Sequence, residues 1–222
     1  VEPKELKTME FPTTAENSEE LKHDDIIGTV DETMIRKMPA GNNDRQQKLL
    51  AEYNEDKSGF SYTMTYRNAG PSYTIYEVSF PSNFASSFEE NNTVYCEYYK
   101  CGIEGKRPAV ILLDILDGSM IISRMLAHSL ASQGTDACIM TLPYYGKRKP
   151  QAIKERMKLN EDMTVFVNAV HQAVGDVRRT ARWLAGQDTI DTDNIGICGT
   201  SLGGFVAALS AGVDGQFSRA AF

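Results

Sequence analysis

Residues 194–211 read NIGICGTSLGGFVAALSA, so that a short apolar run, a glycine-rich turn and a second apolar run follow one another. The first run has the length and composition of a buried strand, and the second is typical of an apolar helix. The turn matches the pattern G-x-S-x-G with Ser201 at its centre. Glycines two residues before and after the serine remove side chains that would collide in a sharp strand-to-helix turn. We therefore predict that Ser201 occupies a strained turn that exposes its hydroxyl group as a nucleophile.

Two other interpretations of this turn exist. A glycine-rich turn can simply pack a helix closely against a sheet, and similar turns hold phosphate groups at helix N-termini. The spacing differs from both G-x-G-x-x-G and G-x-x-x-x-G-K-[ST], and no lysine follows Gly204. The nucleophile is the interpretation we favour.

Upstream of the turn, strand patterns alternate with helix patterns. The predicted strands cover residues 73–80, 93–99, 109–116, 137–142 and 194–198. The first two alternate in side-chain character and predict an antiparallel pair, whereas the later ones are nearly continuous apolar runs of the kind found in parallel sheets. Ser119 is the expected N-cap of a helix in which Ile122, Met125, Leu126 and Leu130 recur at helical spacing, ended by Gly134. A second helix is predicted from Val170 to Leu184.

These elements predict an α/β fold class: a mostly parallel sheet with helices on both faces and antiparallel N-terminal strands, incomplete at the C-terminus. Residues 1–60 are polar, and we expect an N-terminal extension of weak order with one helix-compatible stretch at 44–53. Residues 61–222 form the predicted domain, a partial one. Its last residues, 217–222, resemble the start of a further strand.

Composition limits the partners that this chain can have. The 222 residues carry a formal net charge of -7, which argues against binding of nucleic acid through its phosphates. No apolar run approaches the roughly 20 residues of a membrane span, so we expect a soluble protein. No motif indicates a cofactor or a metal ion, and a small neutral or hydrophobic substrate fits best. Compartment and oligomeric state stay open.

Residues 73–222 resemble the front half of an α/β-hydrolase, in the serine-esterase branch near dienelactone-hydrolase-like and acetyl-esterase-like proteins. The resemblance rests on ICGTSLGG at 197–204, PAVILLDILDGS at 108–119 and TLPYYGKR at 141–148. It implies cleavage of a small-molecule carboxylic ester through an acyl-enzyme on Ser201. Dienelactone hydrolases use a cysteine nucleophile, so the serine favours ester hydrolysis, with a peptidase as the alternative within the class.

An acyl-transfer serine needs backbone N–H donors for the developing oxyanion. One donor normally comes from the residue after the nucleophile, here Leu202, and the other from the loop after the apolar strand, where position favours Leu116. The family commonly begins this loop with His-Gly, whereas this chain has Asp114-Ile115. Asp114 and Asp117 are also explained as ordinary strand-end and turn residues.

The rest of the catalytic triad is not evident in this sequence. The family order is serine, then Asp or Glu, then histidine, yet His23, His128 and His171 all precede Ser201. Asp214 follows the turn too soon to be the usual acid. We expect the triad Asp and His beyond residue 222 and little activity from the 222 residues alone. The alternative is a non-catalytic α/β-hydrolase-like binding or interaction protein.

Cysteines and tyrosines add three smaller expectations. Cys138 and Cys198 are interpreted as buried strand residues, and a disulfide between Cys96 and Cys101 is disfavoured because their odd spacing places them on opposite faces of one strand. Residues 144–160 are rich in Lys and Arg and are expected to be exposed. At the start of this connection, Tyr144 and Tyr145 either line an acyl pocket or pack the strand end.

Overall fold

The computed structural model describes residues 25–31, 43–53, 58–115, 120–151 and 163–222. The strands are β1 (Ile26–Val30), β2 (Phe60–Ala69), β3 (Tyr73–Pro81), β4 (Thr93–Cys101), β5 (Arg107–Leu113), β6 (Asp136–Met140), β7 (Ile190–Gly199) and β8 (Phe217–Ala221). The helices are α1 (Asp44–Glu52), α2 (Ile121–Ser132), α3 (Met163–Ala185) and α4 (Leu202–Val213). Short 3-10 turns lie at Glu89–Asn92 and Gly146–Arg148.

The strands of the described residues form one mixed sheet in the order β1-β2-β3-β4-β6-β5-β7-β8. The pairs from β1 to β4, and β4 with β6, are antiparallel. The pairs β5 with β6, β5 with β7 and β7 with β8 are parallel. The predicted fold class is therefore confirmed: antiparallel strands come first, and a parallel half follows.

Strand β5 is continuously apolar because both faces of the sheet are covered at its position. Ile111 and Leu113 pack in the core cluster on the side of α3 and α4, while Leu112 packs on the opposite side under α2. A strand with a polar face could not be buried on both sides at low cost. The predicted strand at 109–116 is shorter than expected, since β5 ends at Leu113.

Helix α2 contacts the sheet through its small residues. Ser123, Ala127 and Ala131 are buried, whereas Ile122, Met125 and Leu126 are between 41% and 69% exposed. The apolar periodicity thus predicted the helix, but its larger side chains lie on the outer surface. Ser119, the predicted cap, lies outside the described residues.

Two segments of the predicted N-terminal extension form regular secondary structure. Strand β1 pairs with β2, and α1 occupies the helix-compatible stretch, with the Asn43 side chain accepting a 3.0 Å hydrogen bond from the Gln46 amide. Weak order is therefore not a property of these two segments. Whether residues 1–60 form a separate unit stays a prediction.

Buried arginines of α3 explain how this polar region is attached. Arg178 donates to the Tyr53 carbonyl oxygen at 2.6 Å, and Arg182 donates to the carbonyl oxygens of Asp31 and Ser58 at 3.2 and 3.4 Å. Both guanidinium groups are at least 97% buried. Backbone carbonyl groups near the ends of β1, α1 and β2 thus accept hydrogen bonds from these two guanidinium groups. Burying such cations without partners would cost a large free energy.

The expectation of an exposed connection at 144–160 is wrong for its first part. Tyr144, Arg148 and Pro150 are buried, while Gly146, Lys147 and Lys149 are exposed. Arg148 is fully buried because main-chain oxygens and a carboxylate surround its guanidinium group. Residues 152–160 of this connection lie outside the described part.

All four cysteines are free thiols. Cys96 and Cys101 do not form a disulfide, in agreement with their odd spacing on β4, and Cys138 is fully buried on β6. Cys198 on β7 is half-buried. Among the helices of the described ranges, none is both long and apolar enough to cross a membrane.

A buried ion pair joins the amino-terminal ends of β5 and β6. Asp136 is fully buried and accepts hydrogen bonds from Arg107 at 2.6 Å, from the Cys101 amide at 2.9 Å and from the Tyr98 hydroxyl group. Burial and this carboxylate raise the pKa of Tyr98 well above its usual value. Tyr98 therefore stays neutral and acts as a hydrogen-bond donor at any physiological pH.

We predict that Asp136→Asn lowers the free energy of unfolding by about 3–5 kcal/mol, because it leaves the buried Arg107 without a counter-ion. Urea denaturation followed by circular dichroism measures this loss. The matched control is Glu97→Gln, which breaks the ion pair between Glu97 and Arg124. These side chains are 29% and 50% exposed, so the loss in the free energy of unfolding should be less than about 1 kcal/mol. Equal losses in the two variants would contradict the prediction.

Candidate active site

Ser201 lies in the sharp turn between β7 and α4, at the carboxyl end of the parallel strands. Its backbone angles are φ 55° and ψ -117°, a region in which a residue with a side chain is strained by about 1–3 kcal/mol. Thr200 and Ser201 are both exposed. Although Ser201 precedes the first turn of α4, its side chain makes no capping hydrogen bond to the described residues. Its hydroxyl group therefore faces outward and is not used to stabilise the helix.

The two glycines of the G-x-S-x-G pattern allow backbones to touch. A β-carbon on Gly203 would overlap the carbonyl oxygen of Leu113 and lie 2.6 Å from that of Asp114, at the end of β5. A β-carbon on Gly199 would overlap the Gly203 carbonyl group and lie 2.6 Å from the Gly204 nitrogen. Neither position accepts a side chain unless the backbone moves. These contacts give the structural reason for the spacing seen in the sequence.

Backbone hydrogen bonds close the turn around Ser201. The Thr200 amide donates to the Leu113 carbonyl oxygen at 3.2 Å, the Gly203 amide to Thr200 at 3.0 Å and the Phe205 amide to Ser201 at 3.0 Å. Leu202 is the first residue of α4, where an amide has no acceptor within the helix. Its N–H group therefore follows directly after Ser201 and has no acceptor within the helix.

The second predicted oxyanion donor, Leu116, lies outside the described residues. Just before it in the chain, Asp114 is buried and accepts hydrogen bonds from the Met120 amide at 2.6 Å and the Ser123 hydroxyl group at 3.1 Å. Asp114 therefore holds the start of α2, whose N-cap residue is Met120 and not the expected Ser119.

A small apolar cleft adjoins Leu202. Its lining comprises Leu142, Pro143, Tyr145, Phe166, Ala169, Val170, Ala173, Leu202 and Val206. None of these side chains carries a formal charge. Of the two tyrosines named from the sequence, Tyr145 lines the cleft, while Tyr144 is buried against Phe88 with ring centroids 6.1 Å apart. The local sequence gave no signal for the residues that α3 contributes.

Neither histidine of the described residues lines this cleft. His128 is exposed on α2 beside Tyr73, and His171 on α3 packs against Tyr53 with ring centroids 4.7 Å apart. His23 lies outside the described residues. Asp214 is buried in an ion pair with Arg178 at 2.8 Å, so its carboxylate already has a counter-ion.

Cys198 is the only nucleophilic side chain other than the hydroxyl groups in the described residues 197–204. Burial raises the pKa of its thiol, so the thiol stays protonated at neutral pH. Because the thiolate is the reactive form, Cys198 is a poor nucleophile at neutral pH.

A mixed sheet with a parallel C-terminal half and helices on both faces, and a strained serine turn at the carboxyl end of a parallel strand, are features of the α/β-hydrolase class. Residues 28–216 match the model of the family described as alpha/beta hydrolase domain containing 18. The match covers most of the chain, and the chain therefore belongs to this family.

Similar proteins include uncharacterized proteins of two Mycobacterium tuberculosis strains, each 33% identical over 81 residues, which is 36% of this chain and 19% of theirs. Among solved structures, an acetyl xylan esterase from Paenibacillus sp. R4 has a TM-score of 0.58 at 17% identity, covering 85% of this chain and 61% of its own. A glucuronoyl esterase from Solibacter usitatus has a TM-score of 0.56 at 15% identity, covering 80% and 57%. At these identities the structural matches show the fold. The chain spans about a fifth of the mycobacterial proteins and about three fifths of the Paenibacillus esterase.

We predict that Gly203→Ala destabilises the protein by about 1–3 kcal/mol or more, because the new methyl group overlaps the end of β5. Gly212→Ala on the same helix is the matched control, since its β-carbon would meet nothing within 4 Å. The control should be neutral or slightly stabilising. Urea denaturation of both variants checks the difference, and similar stability of the two would show that the close approach is not a constraint.

Proposed function

We propose that this protein is a serine hydrolase that cleaves a small-molecule carboxylic ester through an acyl-enzyme on Ser201. The observation that carries the proposal is the exposed Ser201 hydroxyl group on a strained turn, beside the free amide of Leu202 and an apolar cleft. That several solved structures of similar fold are esterases supports an ester as the substrate. A purely structural turn would place a glycine at this positive φ, where a serine is strained, and gives no reason for the serine.

In the proposed reaction, the Ser201 oxygen attacks the ester carbonyl carbon and transfers its proton to a general base. The tetrahedral intermediate collapses, and the protonated base gives its proton to the departing alcohol. Water then attacks the acyl-enzyme with the help of the same base, which releases the carboxylic acid and restores the serine. No cofactor or metal ion takes part.

The Leu202 amide is the proposed first donor to the oxyanion, and the Leu116 amide is the proposed second. Loss of one such donor typically lowers turnover by about a hundredfold to a thousandfold. The proposed base is a histidine oriented by an Asp or Glu. Since His128 and His171 are held at other surfaces of the domain, we place the histidine and the acid beyond residue 222, and experiments use the full-length protein.

The apolar cleft is the proposed site of the acyl group. Its small size and uncharged lining suit a short, uncharged acyl chain. Leu202 contributes both to the lining and to the proposed oxyanion site, so an acyl chain in the cleft places its carbonyl group near Ser201.

We predict that Ser201→Ala in the full-length protein abolishes hydrolysis of p-nitrophenyl acetate and butyrate, and labelling by a fluorophosphonate probe, because the acyl-accepting oxygen is removed. Ser210→Ala on the same helix is the matched control and should keep both, since Ser210 is fully buried. Wild-type protein that resists the probe and hydrolyses no ester would favour the non-catalytic interaction protein.

We also predict that Phe166→Ala raises the ratio of kcat/KM for octanoate esters to kcat/KM for acetate esters by about tenfold. The substitution widens the cleft at a half-buried position, and a change in fit within an apolar pocket is usually worth about 1–3 kcal/mol. Val167→Ala is the control, because Val167 is 42% exposed and does not line the cleft. An unchanged ratio in Phe166→Ala would show that the acyl chain binds elsewhere.

A further inference from the structure

One wall of the cleft is a short loop with an unfavourable backbone. Residues Leu142, Pro143 and Tyr145 supply this wall, and Tyr144 within it has φ 68°, a conformation that bulky side chains rarely adopt. Hydrogen bonds from the Tyr145 amide to Leu142 at 3.2 Å and from the Arg148 amide to Tyr145 at 2.8 Å close the loop on itself. Such a strained loop persists where its surroundings fix it.

The side chain of Arg148 provides much of that fixation. Its Nη1 donates to the Thr141 carbonyl oxygen at 3.1 Å, and its Nε and Nη2 donate to the Asn91 carbonyl oxygen at 3.2 and 2.8 Å. Nη2 also pairs with Asp176 at 2.7 Å, and both members of this ion pair are fully buried. The loop is therefore tied at its start, to the 3-10 turn before β4 and to α3.

Further polar contacts extend this anchor. Asp176 accepts from the Ser82 hydroxyl group at 2.7 Å and the Asn83 amide at 2.9 Å. Asn91 accepts from the Tyr144 amide at 2.9 Å and donates to Gln172 at 2.7 Å. The segments that contain Ser82, Asn91 and Asp176 are thus joined to the loop through the same buried group of side chains.

The opposite wall of the cleft belongs to the helix that carries Asp176. Phe166, Ala169, Val170 and Ala173 line the cleft from α3. Ala173 lies three residues before Asp176, a spacing that places two side chains on neighbouring positions of one helix face. The ion pair consequently joins the two walls, and its length helps to fix the distance between them.

We propose that Arg148 and Asp176 are positioning residues that set the acyl-chain length accepted by the cleft. This inference rests on the proposed function of the same site. Neither residue lines the cleft, and both act through the wall that contains Tyr145. Shortening or weakening the pair lets the loop move away from α3, so that longer acyl chains enter and short ones are held less well.

The test compares Arg148→Lys and Asp176→Asn with Arg178→Lys and Asp214→Asn in the full-length protein. The second pair is an almost equally buried control, 3% and 4% exposed. It also involves α3, but it joins the helix to the far end of α4 and to Tyr53. All four variants are destabilised, so thermal denaturation identifies temperatures at which each is folded.

For the Arg148 and Asp176 variants, we expect kcat/KM for acetate and butyrate esters to fall by about tenfold or more, since small misplacements of a bound group are costly. The ratio of octanoate to acetate should rise by a similar factor, mainly through KM. The control variants should keep the wild-type ratio. Equal profiles in both sets, or no change in any variant, would overturn the inference.

Hydrogen exchange measured by mass spectrometry separates this inference from the proposed function. Faster exchange in residues 141–148 of the Arg148 and Asp176 variants, but not of the controls, supports the role of the ion pair in holding the loop. If the protein also hydrolyses no ester, the proposed function is wrong while the structural role of the pair stands. Unchanged exchange there, together with normal ester hydrolysis, removes the positioning role and leaves the proposed function intact.

Discussion

The contact between the first turn of α4 and the end of β5 is the constraint on which the site depends. Gly203 lies so close to the carbonyl oxygens of Leu113 and Asp114 that a methyl group cannot be accommodated. The Thr200 amide bonds to Leu113 at the same point. Because the chain must turn from β7 into α4 within this small space, Ser201 takes a positive φ and its side chain is directed outward. The strain at the serine is thus a consequence of backbone packing, which many contacts of strand and helix maintain.

Buried charges, as well as apolar contacts, fix how the helices lie on the sheet. Helix α3 carries Asp176 and Arg178, each in an ion pair with a distant segment. Such pairs contribute little net stability compared with apolar residues of the same volume, but losing one partner is costly. Their additional hydrogen bonds to main-chain oxygens explain how they are tolerated. Because these hydrogen bonds are directional, the two ion pairs favour one arrangement of the neighbouring segments around α3. The cleft depends on that arrangement, since it lies between a loop and α3.

The parallel half of the fold could be predicted because its strands are continuously apolar and separated by helical periodicity. Strands β1 and β2 were missed, although Phe60 and Met64 alternate with more exposed residues, since polar and charged neighbours mask the signal. The burial of Arg148 could not be predicted either. Its partners Asn91 and Asp176 lie 57 and 28 residues away, and local composition indicated only a basic, exposed segment.

In the candidate site, too, some features follow from neighbouring residues in the sequence and others from residues that are distant in the sequence. The position of Ser201 follows from residues within two places of it, whereas the lining from α3 depends on tertiary structure. Asp114 combines both, because its carbonyl oxygen lies close to Gly203 while its carboxylate accepts a hydrogen bond from the Met120 amide at the start of α2. Through these two contacts, Asp114 links the start of α2 to the strand end that touches the serine turn. The same end of β5 therefore constrains both the turn that holds Ser201 and the position at which α2 begins.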